Sequence, residues 1–122
     1  MPLIVLFVFA VPAPAQAQAK NCPQWEPLLR KHFPANLVPI MSKIAYRESR
    51  CNPKSVSAVR KSTGRPDVGL LQIQGSWQTV TKQVCKTTNV IRSLQDPVCN
   101  VKVAGYLYRN GGLGHWRGTS GK

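Results

Sequence analysis

The chain has 122 residues and carries 17 Lys and Arg against 4 Asp and Glu, a net charge of +13. That length suits one domain around one modest core, and a hydrophobic fraction of 43% excludes a disordered polybasic tail. The four acids, Glu26, Glu48, Asp67 and Asp96, are too few for a carboxylate-rich calcium site, and nothing in the chain demands a metal or other cofactor. The positive charge asks for a polyanionic partner without choosing among nucleic acid, a membrane and a bacterial wall.

The N-terminus narrows that choice. Residues 3–11 are an unbroken apolar run, far short of the roughly 20 residues that a spanning helix requires. Pro12-Ala13-Pro14 and Ala15-Gln16-Ala17-Gln18-Ala19 follow, the latter a cleavage site of A-x-A type. Residues 1–19 are therefore expected to be a signal peptide cut after Ala19, or after Ala17, although no Lys or Arg precedes the apolar run. All basic residues lie from Lys20 onward, so residues 20–122 form an exported domain that keeps the whole charge. A secreted or periplasmic location follows. With no recognisable nucleic-acid module in such a chain, nucleic acid is set aside as a partner.

Cys22, Cys51, Cys85 and Cys99 show no C-x-x-C spacing, which argues against zinc, thioredoxin-like and haem chemistry. An even number in a small exported domain favours two disulfides, with three connectivities open. Cys22–Cys51 with Cys85–Cys99 is the preferred set. The second would close a loop of about 15 residues, worth about 3 kcal/mol in the chain-entropy model.

Along the exported chain, residues 25–33 read as a short helix between Pro27 and Pro34. Leu37, Ile40, Met41, Ile44, Ala45 and Glu48 then recur at three- and four-residue steps, with Lys43 and Arg47 off the stripe. Pro39 is tolerated only in a first turn, which places this helix from 37 or 38 to about 50. Residues 54–67 are polar and turn-rich, a loop or a small hairpin; residues 68–73 are a short apolar run. Ser76 is a candidate cap for a helix over 77–84. Asp96-Pro97 is a stronger start signal. Val98, Val101, Ala104, Gly105 and Tyr108 make one face of the helix that follows, and Gly111-Gly112 end it. The fold class is α+β, predominantly α-helical.

Glu48 is the odd residue, because it closes an otherwise apolar stripe. A carboxyl turned toward the core has its charged form disfavoured and its pKa raised above the usual 4.3 or so, as a general acid near neutral pH requires. The plainer alternative is an ion pair with one of the many cations at the helix end. The surrounding sequence decides between them. Glu48-Ser49-Arg50-Cys51-Asn52-Pro53, then Asp67-Val68-Gly69-Leu70-Leu71-Gln72-Ile73, then Leu94-Gln95-Asp96-Pro97 with Asn100-Val101, resembles the lysozyme-like superfamily. More narrowly it is similar to the soluble lytic transglycosylase (SLT) domain, and more distantly to c-type lysozyme. Tyr106-Leu107-Tyr108 with Gly114-His115-Trp116 is similar to the short forms of that domain.

The resemblance implies a lysozyme-like fold and cleavage of the β-1,4 bond between N-acetylmuramic acid and N-acetylglucosamine in peptidoglycan, with Glu48 protonating the leaving oxygen. It also implies that the Gly69–Ile73 segment lies across the cleft, with Ser49 beside Glu48 as a candidate substrate-binding residue and Gln72 offering amide hydrogen bonds near the scissile bond; the alternative for Gln72 is a solvated strand residue. Asp67 stands two residues before Gly69, where c-type lysozymes carry a second carboxylate. A retaining hydrolysis would need the two carboxyls about 5 Å apart; many lytic transglycosylases instead close the muramic sugar on itself. Asp67 is thus either a catalytic partner or a turn cap after Arg65-Pro66. Trp77 and Trp116 are candidate stacking faces for sugar rings or plain core, and Trp116 is also a candidate apolar wall for Glu48. His32 and His115 lack a Ser or Cys partner in any nucleophile motif and are expected to be structural or exposed. The expected partners are peptidoglycan glycan strands and the anionic cell envelope, met by a monomer. Two further readings remain: a hydrolytic muramidase using Glu48 plus Asp67, and a non-enzymatic cationic protein that binds wall or membrane by charge.

Overall fold

A computed structural model describes residues 20–116; the expected signal peptide and residues 117–122 lie outside the described residues. A 3-10 turn over Pro23–Trp25 leads into α1, Glu26–Leu29, with a proline in its first turn. The helix expected over 25–33 stops at Leu29. The amides of Lys31 and His32 turn back only three residues, to the carbonyls of Leu28 and Leu29 at 3.1 and 3.0 Å. Phe33 precedes Pro34, whose ring disfavours α geometry at Phe33, so the last turn tightens.

Helix α2, Val38–Ser49, follows a 3-10 turn over Ala35–Leu37 and holds Pro39 in its first turn, where a missing N–H leaves nothing unsatisfied. Met41, Ile44 and Ala45 are fully buried, Leu37, Ile40 and Glu48 are half-buried, and Lys43 and Arg47 are exposed. Arg50 and Cys51 then adopt left-handed φ of 55° and 67°, which no helix can continue. Three ties fasten α2 to the N-terminal segment, two at this end and one at Ser42 nearer its start. The Cys22–Cys51 disulfide crosses it to the N-terminal segment, the Trp25 indole N–H donates to the Cys51 carbonyl at 3.0 Å, and the Cys22 amide donates to Ser42 Oγ at 2.8 Å.

Between α2 and α3 the chain forms a narrow ribbon. Val56 bridges Val68 in antiparallel sense, and the Ser57 amide donates to the Asp67 carbonyl at 2.9 Å. Val68 also bridges Ile73, closing a tight turn in which Gly69 and Gln72 have φ of 88° and 49°. These are isolated bridges, so the described residues contain little sheet, as the helix-dominated class requires.

Helix α3, Gln78–Cys85, enters through a 3-10 turn over Gly75–Trp77. Ser76 therefore lies inside that turn and does not cap α3; the residue in the cap position is Trp77, without a side-chain cap bond. Helix α4, Val90–Leu94, has no counterpart among the sequence expectations and is capped by Asn89, which accepts from the Arg92 amide at 3.2 Å. Helix α5, Pro97–Gly111, starts as expected, with Asp96 accepting from the Val98 amide at 2.9 Å. The Cys85–Cys99 disulfide joins the end of α3 to its first turn.

The buried face of α5 departs from the expected one. Val98 is 56% exposed, whereas Asn100, Val103 and Leu107 are buried beside Val101, Ala104 and Gly105. A one-sided stripe fits a helix lying on a surface, but α5 is packed by α1, α3 and α4 and is covered on most of its circumference. Val98 belongs to the one stripe left exposed, with Lys102, Tyr106 and Arg109 at four- and three-residue steps.

Candidate active site

The site is assembled on one short turn, residues 69–72, in which the Leu70 carbonyl and both backbone groups of Leu71 are bound by side chains from elsewhere. Asn100, fully buried in α5, accepts from the Leu71 amide at 2.9 Å and donates to the carbonyls of Val68 and Leu94, both at 2.9 Å. The Ser49 hydroxyl bridges to the Leu70 carbonyl at 2.8 Å and to its own helix at Ala45 at 3.0 Å. The Trp116 indole N–H donates to the Leu71 carbonyl at 2.9 Å. Gln72 spends both amide hydrogens on backbone, on Ser55 at 3.1 Å and on Gly69 at 2.9 Å. Gly69 has no alternative, because a Cβ there would collide with the Leu94 carbonyl and the Asn100 amide.

This turn fixes what surrounds it. Through Ser49 it is stapled to the end of α2, where the adjacent Glu48 is half-buried. Ser49 itself is buried, and so is Gln72. Asp67, immediately before the turn, is 6% exposed and meets the Arg60 guanidinium in a fork. Arg60 Nε lies 2.9 and 3.0 Å from its two oxygens, and the second nitrogen is 2.8 Å from Oδ2. Both carboxylate oxygens are thereby engaged by one planar cation. The Asp67 hydrogen bonds, and then its charge, raise the Arg60 pKa, and the charge of Glu48 adds to that rise. Glu48, Arg60 and Asp67 therefore share one electrostatic neighbourhood.

The aromatic residues form a second group. A groove of about 380 Å³ is lined by Gln74, Trp77, Tyr106, Asn110 and His115 together with the glycines that follow α5. Trp77 is 37% exposed on this groove and donates its indole N–H to His115 Nδ1 at 3.2 Å. The His115 ring stands edge-on to Trp116, with centroids 4.7 Å apart. Trp116 is only 2% exposed and takes a place in the core. Glu48 and Asp67 do not line this groove; His115 connects the two groups, since Asp67 and Arg60 both act on its charge. Burial holds the His115 imidazole below the ordinary histidine value, against the opposing pull of the Gln72 backbone and Asp67, while Arg60 adds to the lowering.

Two site residues escaped the sequence reading. Arg60 was one of 17 cations with nothing to mark it. His115 carried no nucleophile motif, and its neighbours Trp116 and Gly114 were the only hint. Among the described residues no three His, Cys, Asp or Glu side chains converge as a metal site would need, and no helix is long and apolar enough to cross a membrane.

Residues 31–114 match the Transglycosylase SLT domain family. That stretch is well over half of the chain, and the helical architecture agrees, so the chain belongs to this family and has its lysozyme-like fold. No match was found among curated proteins or among solved structures. At the level of the family, the activity is of the peptidoglycan lytic transglycosylase type and the substrate is peptidoglycan.

Proposed function

We propose that this protein cleaves the β-1,4 bond between N-acetylmuramic acid and N-acetylglucosamine as a lytic transglycosylase, with Glu48 as general acid and then general base. The Glu48 carboxyl gives its proton to the leaving glycosidic oxygen as the bond to C1 breaks. The resulting carboxylate takes the proton from the C6 hydroxyl of the muramic sugar, whose oxygen closes on C1. The products are a 1,6-anhydro end and a free hydroxyl, with no water consumed. Glu48 stands half-buried at the end of α2, beside the turn to which Ser49 staples that helix.

One observation favours ring closure over hydrolysis through Asp67: both oxygens of that carboxylate are taken by the Arg60 fork. An aspartate held this way is a poor nucleophile, because attack would require giving up charge-assisted bonds. Asp67 serves instead to anchor Arg60 near Glu48. The exposed Trp77 face in the groove provides the flat apolar surface on which a sugar ring stacks, with Trp116 behind it as core. Export past residues 1–19 and adhesion of the cationic surface to the anionic envelope complete the reading.

Mass spectrometry of muropeptides released from purified peptidoglycan tests it. Anhydro-muramic ends, lighter than reducing ends by one water, are expected; reducing ends would make the protein a muramidase and return Asp67 to a catalytic role. Glu48→Gln is expected to lower cleavage by about 100-fold to 10,000-fold, the range for loss of a positioned acid. Undiminished cleavage by that variant would overturn the assignment to Glu48, and loss of cleavage with killing of cells retained would give the positive charge a role of its own.

A further inference from the structure

The Trp77 indole, 37% exposed on the groove, donates a hydrogen bond whose acceptor is a titratable ring. The indole N–H can only donate. Imidazole offers an acceptor nitrogen only while it is neutral; the imidazolium ion donates at both nitrogens. The contact from Trp77 Nε1 to His115 Nδ1 at 3.2 Å therefore exists in one protonation state of His115 and is lost in the other. The His115 ring is also held edge-on to the buried Trp116 at 4.7 Å and by a hydrogen bond with the Gln72 backbone, so its place does not depend on Trp77.

We propose that His115 is a positioning residue for glycan binding, its neutral imidazole fixing the Trp77 indole as the groove's sugar-stacking face and releasing it on protonation. The proposal rests on the reading of the groove as a glycan site. The charged groups acting on His115 are Asp67 and Arg60, from the ribbon between α2 and α3; a hydrogen bond to the Gln72 backbone in the turn adds to the pull toward protonation. Asp67 and Arg60 pull in opposite directions and are paired with each other, so burial decides, and the neutral form persists below the ordinary histidine value. Tyr106 of α5 shares the groove. Glycan affinity is thus full at neutral pH and falls as the solution is acidified below about 6.5.

The test uses the full exported chain carrying Glu48→Gln, so that glycan is bound without being consumed. Calorimetric titration with a soluble peptidoglycan tetrasaccharide is run from pH 7.5 to 4.5. Affinity is expected to fall about fivefold across that range, the order of one hydrogen bond, while the Trp77 indole N–H resonance moves with the same midpoint. Adding His115→Gln, which keeps an acceptor but does not titrate, should retain the neutral-pH affinity and abolish its pH dependence. Trp77→Phe, which removes the donor and keeps a ring, should also be flat with pH and serves if the His115 variant does not fold. An indole resonance indifferent to pH, or unchanged pH dependence in either variant, overturns the proposal while leaving the glycan site intact. No glycan binding at any pH overturns the site itself and the proposal with it.

Discussion

Gly69 and Asn100 show how narrow the tolerance is around the turn over residues 69–72. With φ at 88° and a Cβ that would strike the Leu94 carbonyl and Asn100, Gly69→Ala adds backbone strain to a steric clash. It should lower unfolding free energy by about 2–4 kcal/mol in a urea titration. Asn100→Asp keeps the acceptor for Leu71 but replaces the NH₂ that serves Val68 and Leu94 with an oxygen, setting a buried charge against two carbonyls. A loss of about 3 kcal/mol or more is expected at pH 7. Asp67→Asn separates the two mechanisms by activity: transglycosylation should survive within about tenfold, since only the Arg60 anchor is weakened, whereas a nucleophile's loss would match Glu48→Gln. At this scale Glu48, Asp67 and Gln72 were legible in the sequence because each sits beside a recognisable block. Arg60 and His115 were not, because each acts through a partner far away in the chain.

The helices end by different means, and the ends are where the sequence reading is weakest. Lys86 closes α3 in a left-handed conformation, φ 52°, fully on the surface, where a side chain costs about 1 kcal/mol that glycine does not. Lys86→Gly should accordingly raise the melting temperature, with an expected gain of about 0.5–1 kcal/mol. The Cys85–Cys99 bridge next to it joins α3 to α5 across 14 positions of sequence, and replacing both cysteines by serine should remove about 3 kcal/mol. Stripe and cap signals located α2 and α5 because both are long enough for several turns to repeat. Helix α4, with five residues, is too short to declare a period, and α1 is cut off by the geometry that Pro34 imposes.

The whole molecule has two histidines, and burial lowers both. His32 is depressed by burial and by the charges of Arg109, Lys102 and Lys31, and His115 chiefly by burial. A folded-state pKa below the unfolded one means that the unfolded chain binds protons first on acidification. Stability is therefore full above about pH 6.5 and is lost as pH falls through the lowered values. Melting curves between pH 7.5 and 5 should show this decline, and replacing His32 with a neutral residue that fits should reduce it. The net charge of +13 acts at longer range. Retention on anionic vesicles or whole sacculi should weaken steeply with salt and be the same in Glu48→Gln, because screening acts on the charge and not on the site.

The sequence by itself determined the helix-dominated class, the place of Glu48 on the last turn of α2 and the order of the three blocks, and it left the pairing of the cysteines as a preference that the fold decided. These follow from local periodicity, turn chemistry and residue identity, which are written along the chain. Tertiary structure decided that Asp67 is bound to Arg60, that Trp77 faces the groove while Trp116 lies in the core, and that α5 is buried on most sides. Those outcomes depend on which distant groups meet. A guanidinium chooses its carboxylate, and an indole its degree of burial, only once α2, the turn and α5 have been brought together.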